Sequence, residues 1–498
     1  MNVATNLERS AMFFPDRPAL SSERGELTYA ELDDRASRVA SALLNLGLKG
    51  GDHVAICATN TPDWIVFYFG VLKAGGVAVT LSNLLTAEEL ALFVNHARPR
   101  YAFTDRTTDF QAFKSSGLQK IIGPDGDLEL ARMIETAPGK QRAIATLRTD
   151  VAAVLYTGGT TGTPKGVMLT HENINLSAHN VAFSERSTEA DRAVCFLPLN
   201  HVFGQMHIMN ATILSAGCLE ILPSFNLDQI IEILSRNKTT KLFSVPTVYA
   251  RLVALPDLPK KIGKVRYCFS AAASMPAEIV RNWRDATGLT IAEGYGMTES
   301  ASAVTYNHFY RHVVGSVGET VPGVEVEIRD LEGNTLPWGR EGEICIKGHN
   351  IMKGYLNNPT DTEAAFWKDG WFRSGDVGIL DEKGYLFIVD RLKDMIITGG
   401  ENVYPREVEE ALYAMEGVEE CAVVGIPDKE WGERVVAFII PKGNVDISSQ
   451  DAKAFLKAHI SPYKVPKEYF LVKEMPKSAA GKILKRELQK SLVDKGRI

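Results

Sequence analysis

Residues 156–166 read Tyr-Thr-Gly-Gly-Thr-Thr-Gly-Thr-Pro-Lys-Gly, and their types suit the binding of an anion. Glycines allow backbone N–H groups to approach an anion, threonine hydroxyls add donors, and Lys165 adds a positive charge. The apolar run at 151–156 predicts that a strand leads into this segment. Because Gly166 follows Lys165, the segment is not a Walker A loop, in which Ser or Thr follows the Lys. We predict a phosphate-binding loop, and a polar surface turn is the alternative.

Other short segments combine glycine with charged or hydroxyl side chains, and these are 294–300, 371–376, 390–405 and 476–483. Glu299 offers the hard oxygen ligand that Mg²⁺ prefers beside a phosphate, although Thr-Glu-Ser is also an ordinary helix start. The pairs Gly375-Asp376 and Gly399-Gly400 each suit a plain tight turn. Lys482, taken alone, is one of 12 Lys and Arg residues between 453 and 498, where a solvated basic face is the simple explanation.

Taken together and in order, these segments resemble the signature motifs of the adenylate-forming superfamily. That superfamily contains acyl-CoA synthetases, adenylation domains of nonribosomal peptide synthetases and firefly luciferase. The loop at 156–166 is similar to the signature Y-T-S-G-T-T-G-x-P-K-G, except that Gly158 replaces the usual Ser and removes one hydroxyl donor. The ordered match spans about residues 27–484, so it is far more specific than a lone glycine-rich loop.

The resemblance implies a role for each matching residue. Residues with an implied role in binding ATP are Thr157, Gly158, Gly159, Thr160, Thr161, Gly162, Lys165, Ala272, Ala273, Glu293, Gly294, Tyr295, Gly296, Asp376 and Arg391. Thr298 would contact phosphate, Glu299 would hold Mg²⁺, and Lys482 would reach the substrate carboxylate and the α-phosphate. His201 would border the acyl pocket.

A second set of matching residues has an implied role in the transfer to CoA. Gly399 and Gly400 would line the pantetheine tunnel, Lys393 would be the hinge, and Trp431 would stack on the adenine of CoA. Core packing explains Trp431 equally well.

The resemblance also implies an acyl pocket formed by His201, Val202, Phe203, Gln205, Val245 and Gly294. Its mostly apolar lining favours a hydrophobic carboxylic acid. These segments contain no Arg for a second carboxylate, which disfavours dicarboxylic acids. The expected function is an ATP-dependent acyl-CoA synthetase that uses ATP, Mg²⁺ and CoA. The alternative is a ligase that loads an acyl-carrier protein, and the basic C-terminal stretch suits an acidic carrier or the 3′-phosphate of CoA.

Strand-like and helix-like segments alternate along the chain, which predicts an α/β fold. Thr28 and Glu31 form a predicted capping box. Strands at 53–57 and 77–81 around a helix at 62–74 predict a parallel, right-handed β-α-β unit. Further predicted strands are at 151–156, 195–198, 219–223, 242–245, 324–328, 342–347, 385–389, 419–425 and 434–440, and further predicted helices at 407–415 and 451–459.

The pattern of predicted strands and helices changes twice along the chain, which predicts domain boundaries. From about 315, short alternating strands with glycine-rich turns predict a small β-rich subdomain, and the chain after Arg391 predicts a compact α+β unit. We place an N-terminal domain at 1–391, a hinge at 392–393 and a C-terminal domain at 394–498. The resemblance implies that the large domain consists of stacked α/β subdomains and that the small C-terminal domain is mobile.

Composition excludes several other classes of function. The 498 residues carry a net charge of −6, which argues against a general nucleic-acid binder. The six cysteines are far apart and lack CxxC spacing, so standard zinc sites and a disulfide framework are not indicated. No secretory signal is visible, and the longest apolar stretch, 64–72, is far shorter than the ~20 residues that span a bilayer. We expect a cytoplasmic protein, and the oligomeric state stays open.

Overall fold

The computed structural model describes residues 1–157, 165–255, 257–271, 275–428, 430–443, 445, 447–477 and 483–494, with only the backbone at 493–494. Within these ranges the strands form four sheets, which we call sheets A to D. Sheets A and B belong to the predicted α/β part, sheet C to the predicted β-rich subdomain, and sheet D to the predicted C-terminal unit. The predicted α/β fold class is therefore confirmed.

Sheet A is parallel through its centre and has antiparallel strands at both edges. Its strands, in spatial order, are Glu319–Thr320, Thr305–Tyr306, Ile291–Tyr295, Tyr267–Ser270, Lys241–Ser244, Arg192–Cys195, Cys218–Ile221, Pro18–Ser22 and Gly25–Thr28. Sheet B has a parallel region followed by an antiparallel edge. Its strands are Gly354–Tyr355, Lys165–Thr170, Val151–Thr157, Val77–Thr80, His53–Cys57, Tyr101–Thr104 and Lys120–Ile122.

Sheet C is antiparallel and lies in the predicted β-rich subdomain. Its strands are Val324–Arg329, Glu341–Gly348, Phe372–Leu380 and Leu386–Arg391. Sheet D consists of Glu401–Val403, Ile396–Thr398, Gly432–Pro441, Val418–Asp428 and Glu468–Leu471, the last of which pairs in parallel with Gly432–Pro441. Helices Pro405–Tyr413 and Ser449–His459 pack in the same hydrophobic cluster as sheet D.

The remaining helices lie mostly around sheets A and B. They are Thr5–Phe13, Tyr29–Asn45, Pro62–Lys73, Ala87–Ala97, Thr107–Gln111, Leu130–Thr136, His171–Ser184, Ala211–Leu214, Leu227–Ser235, Pro246–Val253, Leu258–Lys261, Ala277–Thr287, Pro359–Ala364 and Lys485–Asp494. Short 3₁₀ segments are Ala112–Ser116, Thr298–Ser300 and Pro462–Lys464, and Phe203–Asn210 is a π-helix. None of the helices that the structure describes is both long and apolar enough to cross a membrane.

The β-α-β unit predicted near the N-terminus is present. His53–Cys57 pairs in parallel with Val77–Thr80, and helix Pro62–Lys73 connects them. The helix contacts strands of both sheet A and sheet B, so it lies between the two sheets. It is buried from Trp64 to Lys73, as expected for a helix that is hydrophobic all round. The capping box of Thr28 and Glu31 is also present and starts helix Tyr29–Asn45.

One predicted strand is misplaced. The apolar run at 195–198 is not a strand, because the strand of sheet A covers Arg192–Cys195 and the chain then turns. The His201 amide donates to the Pro198 carbonyl at 3.0 Å, and Pro198 itself has no N–H for a sheet ladder. Apolar residues alone do not distinguish a strand from a buried turn, so the pattern was ambiguous.

Lys73 provides a test of this packing, because its side chain is almost completely buried. Its ammonium lies 3.0 Å from Glu8 and 2.7 Å from Asp33, which tie the first two helices to helix Pro62–Lys73. Lys73→Ala leaves two poorly solvated carboxylates without a cation, so we expect it to lower the free energy of unfolding by about 3 kcal/mol in urea titrations. Arg236→Ala breaks an exposed pair with Glu232 and is the control, with an expected loss below about 1 kcal/mol. Equal losses in the two variants would contradict this account.

Candidate active site

The candidate site begins where the strand Ile291–Tyr295 leaves sheet A at its carboxyl end, which is where open α/β sheets bind ligands. The chain passes Gly296 and enters the 3₁₀ turn Thr298–Ser300. A Cβ on Gly296 would lie 1.3 Å from the Ser302 carbonyl oxygen, so only glycine allows this close approach of two backbone segments. The turn therefore folds back tightly against the end of the strand.

The predicted phosphate loop connects two antiparallel strands of sheet B. Val151–Thr157 pairs with Lys165–Thr170, and Thr157 lies opposite Lys165. Gly158, Gly159, Thr160, Thr161 and Gly162 lie outside the described residues, as do Ala272, Ala273 and Lys482.

Lys165 is held at the base of this hairpin by groups that the sequence analysis missed. Its ammonium lies 2.8 Å from Asp361, and 5.0 Å from the centroid of the Tyr355 ring. The Tyr355 hydroxyl donates to Glu299 Oε1 at 2.9 Å. Lys165 and Glu299, predicted to bind phosphate and Mg²⁺, are thus linked through one tyrosine. No motif marks Tyr355, on a strand, or Asp361, on helix Pro359–Ala364, because their role depends on which elements become neighbours.

Glu299 is half-buried, and Thr298 beside it is buried. Burial raises the pKa of the Glu299 carboxyl above its usual value, although its hydrogen bond from Tyr355 opposes that shift. No cluster of three or more His, Cys, Asp or Glu side chains in the described part of the chain could hold a metal. A Mg²⁺ ion at Glu299 would take waters and phosphate oxygens as further ligands, which is the usual arrangement for Mg²⁺ with one carboxylate.

Asp376 and Arg391, predicted to meet the ribose, lie on neighbouring strands of sheet C. They are cross-strand partners, and the Arg391 Nε lies 3.4 Å from Asp376 Oδ1. The Tyr295 hydroxyl donates to Asp376 Oδ2 at 2.7 Å. Sheets A and C thus meet at Asp376, a buried carboxylate with two polar partners.

Glu293 lies on the same strand as Tyr295 and is only 4% exposed. Its Oε1 has no hydrogen-bond partner within the described residues, so it is an available group for a ligand. Burial raises the pKa of Glu293 to about 8, despite the opposing charge of Arg406. Glu293 is therefore protonated at neutral pH.

A cavity of about 40 Å³ lies beside this strand. Its lining is largely aromatic or small and consists of His201, Val202, Phe203, His207, Phe269, Ala271, Gly294, Tyr295, Gly296, Ser302, Ala303, Thr305 and Tyr306. Of the predicted pocket residues, Gln205 and Val245 are buried but do not line it. The Gln205 amide instead donates back to the Leu199 carbonyl at 2.9 Å.

The polar groups of this cavity, His207, Ser302 and Tyr306, carry no sequence motif that marks them. His207 follows Phe203 by four residues, so helical spacing could have indicated a shared face. Behind His207 lie Glu185 and Lys241, two charged residues far apart in the sequence that no pattern connects.

A second group of predicted residues lies together on the small C-terminal unit. Gly399 and Gly400 have φ of +59° and +84° and form the tight turn between two strands of sheet D. The Gly399 amide donates to the Trp431 carbonyl at 2.8 Å, and a Cβ on Gly399 would lie 2.8 Å from the Trp431 ring. Trp431 is 44% exposed, so its indole is accessible beside the turn.

The predicted hinge connects sheets C and D. The Leu392 amide donates to the Gly375 carbonyl at 2.9 Å, and Lys393 is exposed. On the far side, the Arg406 amide donates to Asp390 at 2.8 Å. The domain limits at 391 and 394 stay predictions.

Comparison with known proteins identifies the family. Residues 7–356 match the model of the AMP-binding enzyme, and residues 407–482 match that of the AMP-binding enzyme C-terminal domain. The chain belongs to the AMP-binding enzyme family. This confirms the predicted membership of the adenylate-forming superfamily and makes the chain an enzyme of the acid–thiol ligase class.

Relatives and solved structures agree with this family. The chain is 35% identical to a long-chain-fatty-acid–CoA ligase of Bacillus subtilis, with 97% of this chain and 93% of that protein covered. It is 34% identical to a feruloyl-CoA synthase of Amycolatopsis, with 97% of each covered. ATP-bound MatB from Rhodopseudomonas palustris superposes with a TM-score of 0.93 at 35% identity, covering 99% of both chains. The same protein without ATP reaches 0.81, so the overall arrangement here is closer to the ATP-bound one.

Glu293 provides a pH test of the site. Between its ordinary pKa of 4.5 and about 8, the folded protein holds a proton that the unfolded chain has lost, so Glu293 makes stability fall as pH rises through that window. Glu293→Gln removes this dependence. We expect the melting temperature of the variant, relative to wild type, to increase from pH 5 to pH 9. Glu88→Gln, at an exposed position, is the control. A melting-temperature difference from wild type that stays constant with pH in both variants would refute the raised pKa of Glu293.

Proposed function

We propose that the chain is an ATP-dependent acyl-CoA synthetase that activates a hydrophobic carboxylic acid as acyl-AMP and transfers the acyl group to CoA. The observation that carries this proposal is the double role of Tyr295. Its hydroxyl contacts Asp376, the predicted ribose acceptor, and the same residue lines the apolar cavity. A nucleotide and an acid bound on the two sides of Tyr295 would meet at one point.

In the first step, a carboxylate oxygen of the acid attacks the α-phosphorus of ATP, and the bond to pyrophosphate breaks. The products are acyl-AMP and pyrophosphate. The protein mainly orients the reactants and neutralises charge. Lys482 would position the carboxylate, and Asp376 with Arg391 would hold the ribose. Lys165 and the threonines at 157, 160 and 161 would bind the departing pyrophosphate.

Lys165 must exchange partners to do this. It is paired with Asp361, and phosphate oxygens would compete for the same ammonium. Glu299 would hold Mg²⁺, and the ion would supply positive charge at the phosphates. The raised pKa of Glu299 fits a carboxyl that gains its full charge when a cation arrives.

In the second step, the CoA thiolate attacks the acyl carbon, the bond from that carbon to the AMP oxygen breaks, and AMP leaves. No protein nucleophile is required. Gly399, Gly400 and Trp431, which lie together, would bind the pantetheine arm and the adenine of CoA. Lys482 serves the first step, whereas the CoA-binding group serves the second. A rotation about Lys393 would bring first one and then the other to the reacting atoms.

The aromatic and small side chains that make up most of the cavity lining support a hydrophobic acid. The relatives leave the acid open, since one is named for a long-chain fatty acid and another for ferulate. They favour CoA over a carrier protein as acceptor, because both names specify CoA.

The experiment that tests this proposal incubates the purified protein with ATP, Mg²⁺, CoA and pooled fatty, branched, alicyclic and aromatic acids. We expect mass spectrometry to detect an ATP-dependent acyl-CoA. Acyl-AMP without acyl-CoA would overturn CoA as the acceptor, and the absence of both products would overturn the proposal.

Lys482→Ala separates the two half-reactions. We expect it to reduce acyl-AMP formation by a factor of about 10²–10³, because it removes a charge at the reacting phosphate, while transfer from supplied acyl-AMP to CoA is largely retained. The matched control is Lys490→Ala, since Lys490 is an exposed lysine eight residues further on. Equal loss in both half-reactions would count against the assigned role of Lys482.

A further inference from the structure

Lys165, which the proposed function assigns to the departing pyrophosphate, already has a partner in the structure. Its ammonium lies 2.8 Å from Asp361 Oδ2. Asp361 is far along the chain and lies on the short helix Pro359–Ala364. The two steps of the reaction give this carboxylate no task, and it has to leave Lys165 before a phosphate can bind there.

We propose that Asp361 is a positioning residue that holds Lys165 between turnovers and competes with pyrophosphate for it, so that pyrophosphate is released more readily. This inference rests on the proposed function, since it describes how the same site gives up its first product. No covalent bond forms or breaks, because the ammonium only exchanges one ion pair for another.

The segment that precedes Asp361 is anchored to sheet B by backbone hydrogen bonds. Strand Gly354–Tyr355 pairs in antiparallel fashion with Lys165–Thr170. The Leu356 amide donates to the Gly166 carbonyl at 2.7 Å. These hydrogen bonds do not involve the Asp361 carboxylate, so the segment keeps its place when that carboxylate changes partner.

Helix Pro359–Ala364 is also held independently of the ion pair. Asn358 Oδ1 accepts a hydrogen bond from the Asp361 amide at 3.0 Å and so caps the helix. The Tyr355 amide donates to Thr362 Oγ1 at 2.9 Å, which folds the helix back against the strand. The carboxylate of Asp361 is therefore delivered to its partner by contacts that stay in place without the ion pair.

The ion pair itself is weak enough to be exchanged. The side chain of Lys165 is 27% exposed and that of Asp361 is 38% exposed. Water reaches both groups, and ion pairs with such exposure are worth little because solvent screens them. Pyrophosphate carries several negative charges and therefore displaces a single carboxylate, whereas the carboxylate regains the ammonium when pyrophosphate dissociates.

A second contact keeps Lys165 in position after it has left Asp361. The Lys165 ammonium lies 5.0 Å from the centroid of the Tyr355 ring, a cation–π contact. The ring carries no net charge, so it supports the ammonium without neutralising it. The Tyr355 hydroxyl donates to Glu299 at 2.9 Å, which fixes the ring beside the residue predicted to hold Mg²⁺.

The charge on Asp361 makes it a true competitor. The hydrogen bond from Lys165 holds the pKa of the Asp361 carboxyl below its usual value, so the group is an anion at neutral pH. Pyrophosphate binds fully only to molecules in which Lys165 is free. The apparent affinity for pyrophosphate is therefore lowered in proportion to the fraction of molecules in which Asp361 holds the lysine.

A purely structural role explains the pair less well. Backbone hydrogen bonds and the cap at Asn358 already connect the helix to the sheet. A partly exposed ion pair adds little to such a connection. Occupying the lysine that the phosphates need has a cost for binding, and competition at product release gives that cost a purpose.

The test measures the binding of magnesium pyrophosphate and of AMP to the purified protein by isothermal titration calorimetry. For Asp361→Asn we expect the Kd of pyrophosphate to fall about three- to fivefold, because Lys165 is then free. The Kd of AMP should not change, because AMP lacks the phosphates that leave as pyrophosphate. The new amide oxygen still accepts from Asn358 Nδ2, which lies 3.1 Å from Asp361 Oδ2, so the local hydrogen bond is kept.

Two further variants show whether the effect acts through Lys165. Glu363→Gln is the matched control, because it removes an equal charge at an exposed position on the same helix. It should leave the Kd of pyrophosphate unchanged. In a Lys165→Gln background, Asp361→Asn should have no further effect on that Kd, since the lysine for which the carboxylate competes is absent.

A kinetic measurement connects binding with turnover. In acyl-CoA formation, pyrophosphate should inhibit the Asp361→Asn variant at about three- to fivefold lower concentration than wild type, while kcat does not rise. Asp361→Ser, a second neutral variant, should give the same two results and replaces Asp361→Asn if that variant fails to fold.

The outcomes separate this inference from the proposed function. Wild-type or weaker binding of pyrophosphate by the neutral variants would overturn the inference, as would equal tightening in Glu363→Gln or an undiminished effect in the Lys165→Gln background. Binding of ATP but not of pyrophosphate to wild type would also overturn the inference and retain the synthetase. Binding of neither would overturn the proposed function and this inference with it.

Discussion

The close approach of two backbone segments at Gly296 is the constraint on which the rest of the site depends. The carbonyl of Ser302 occupies the space that any Cβ on Gly296 would fill, so the chain doubles back at the end of its strand. This brings Glu299 to Tyr355, whose ring lies against Lys165, and Ser302 to the cavity. Tyr295 stands between the two sides and links the cavity to Asp376 in sheet C.

Electrostatics then gives each side of the site a different character. On one side, the charged groups have partners that a bound nucleotide could replace. Glu299 is bonded to Tyr355 and Asp376 is paired with Arg391. Lys165, beside Tyr355, is paired with Asp361. Behind the cavity, Glu185 and Lys241 are deeply buried and paired with each other. The first arrangement suits exchange of partners with phosphate and Mg²⁺. In the second arrangement, the opposite charges compensate each other, so that side of the cavity is rigid and has no net charge. In the proposed function, the fold therefore separates the chemistry from the recognition of the acid.

Much of the fold could be predicted from local patterns. The capping box at Thr28 and the β-α-β unit around helix Pro62–Lys73 are present, because capping and periodicity act over a few residues. The alternating strands after 315 form an antiparallel sheet for the same reason. The pattern failed at 195–198, where a buried turn before the π-helix Phe203–Asn210 is as apolar as a strand. Residue propensity does not distinguish a buried turn from a strand unless the tertiary contacts are known.

The sequence by itself determined the family and the order of the motifs, and it predicted the residues for phosphate, ribose and CoA, because those motifs are short and their chemistry depends on residue type. Only the tertiary structure decided which residues lie beside them. Asp361 meets Lys165 across some two hundred residues, and Glu185, His207 and Lys241 come together from three separate elements. Such contacts depend on how sheets and helices pack, and no spacing along the chain encodes them. For that reason the motifs indicate a ligase, whereas the arrangement of the cavity walls could be known only from the tertiary structure.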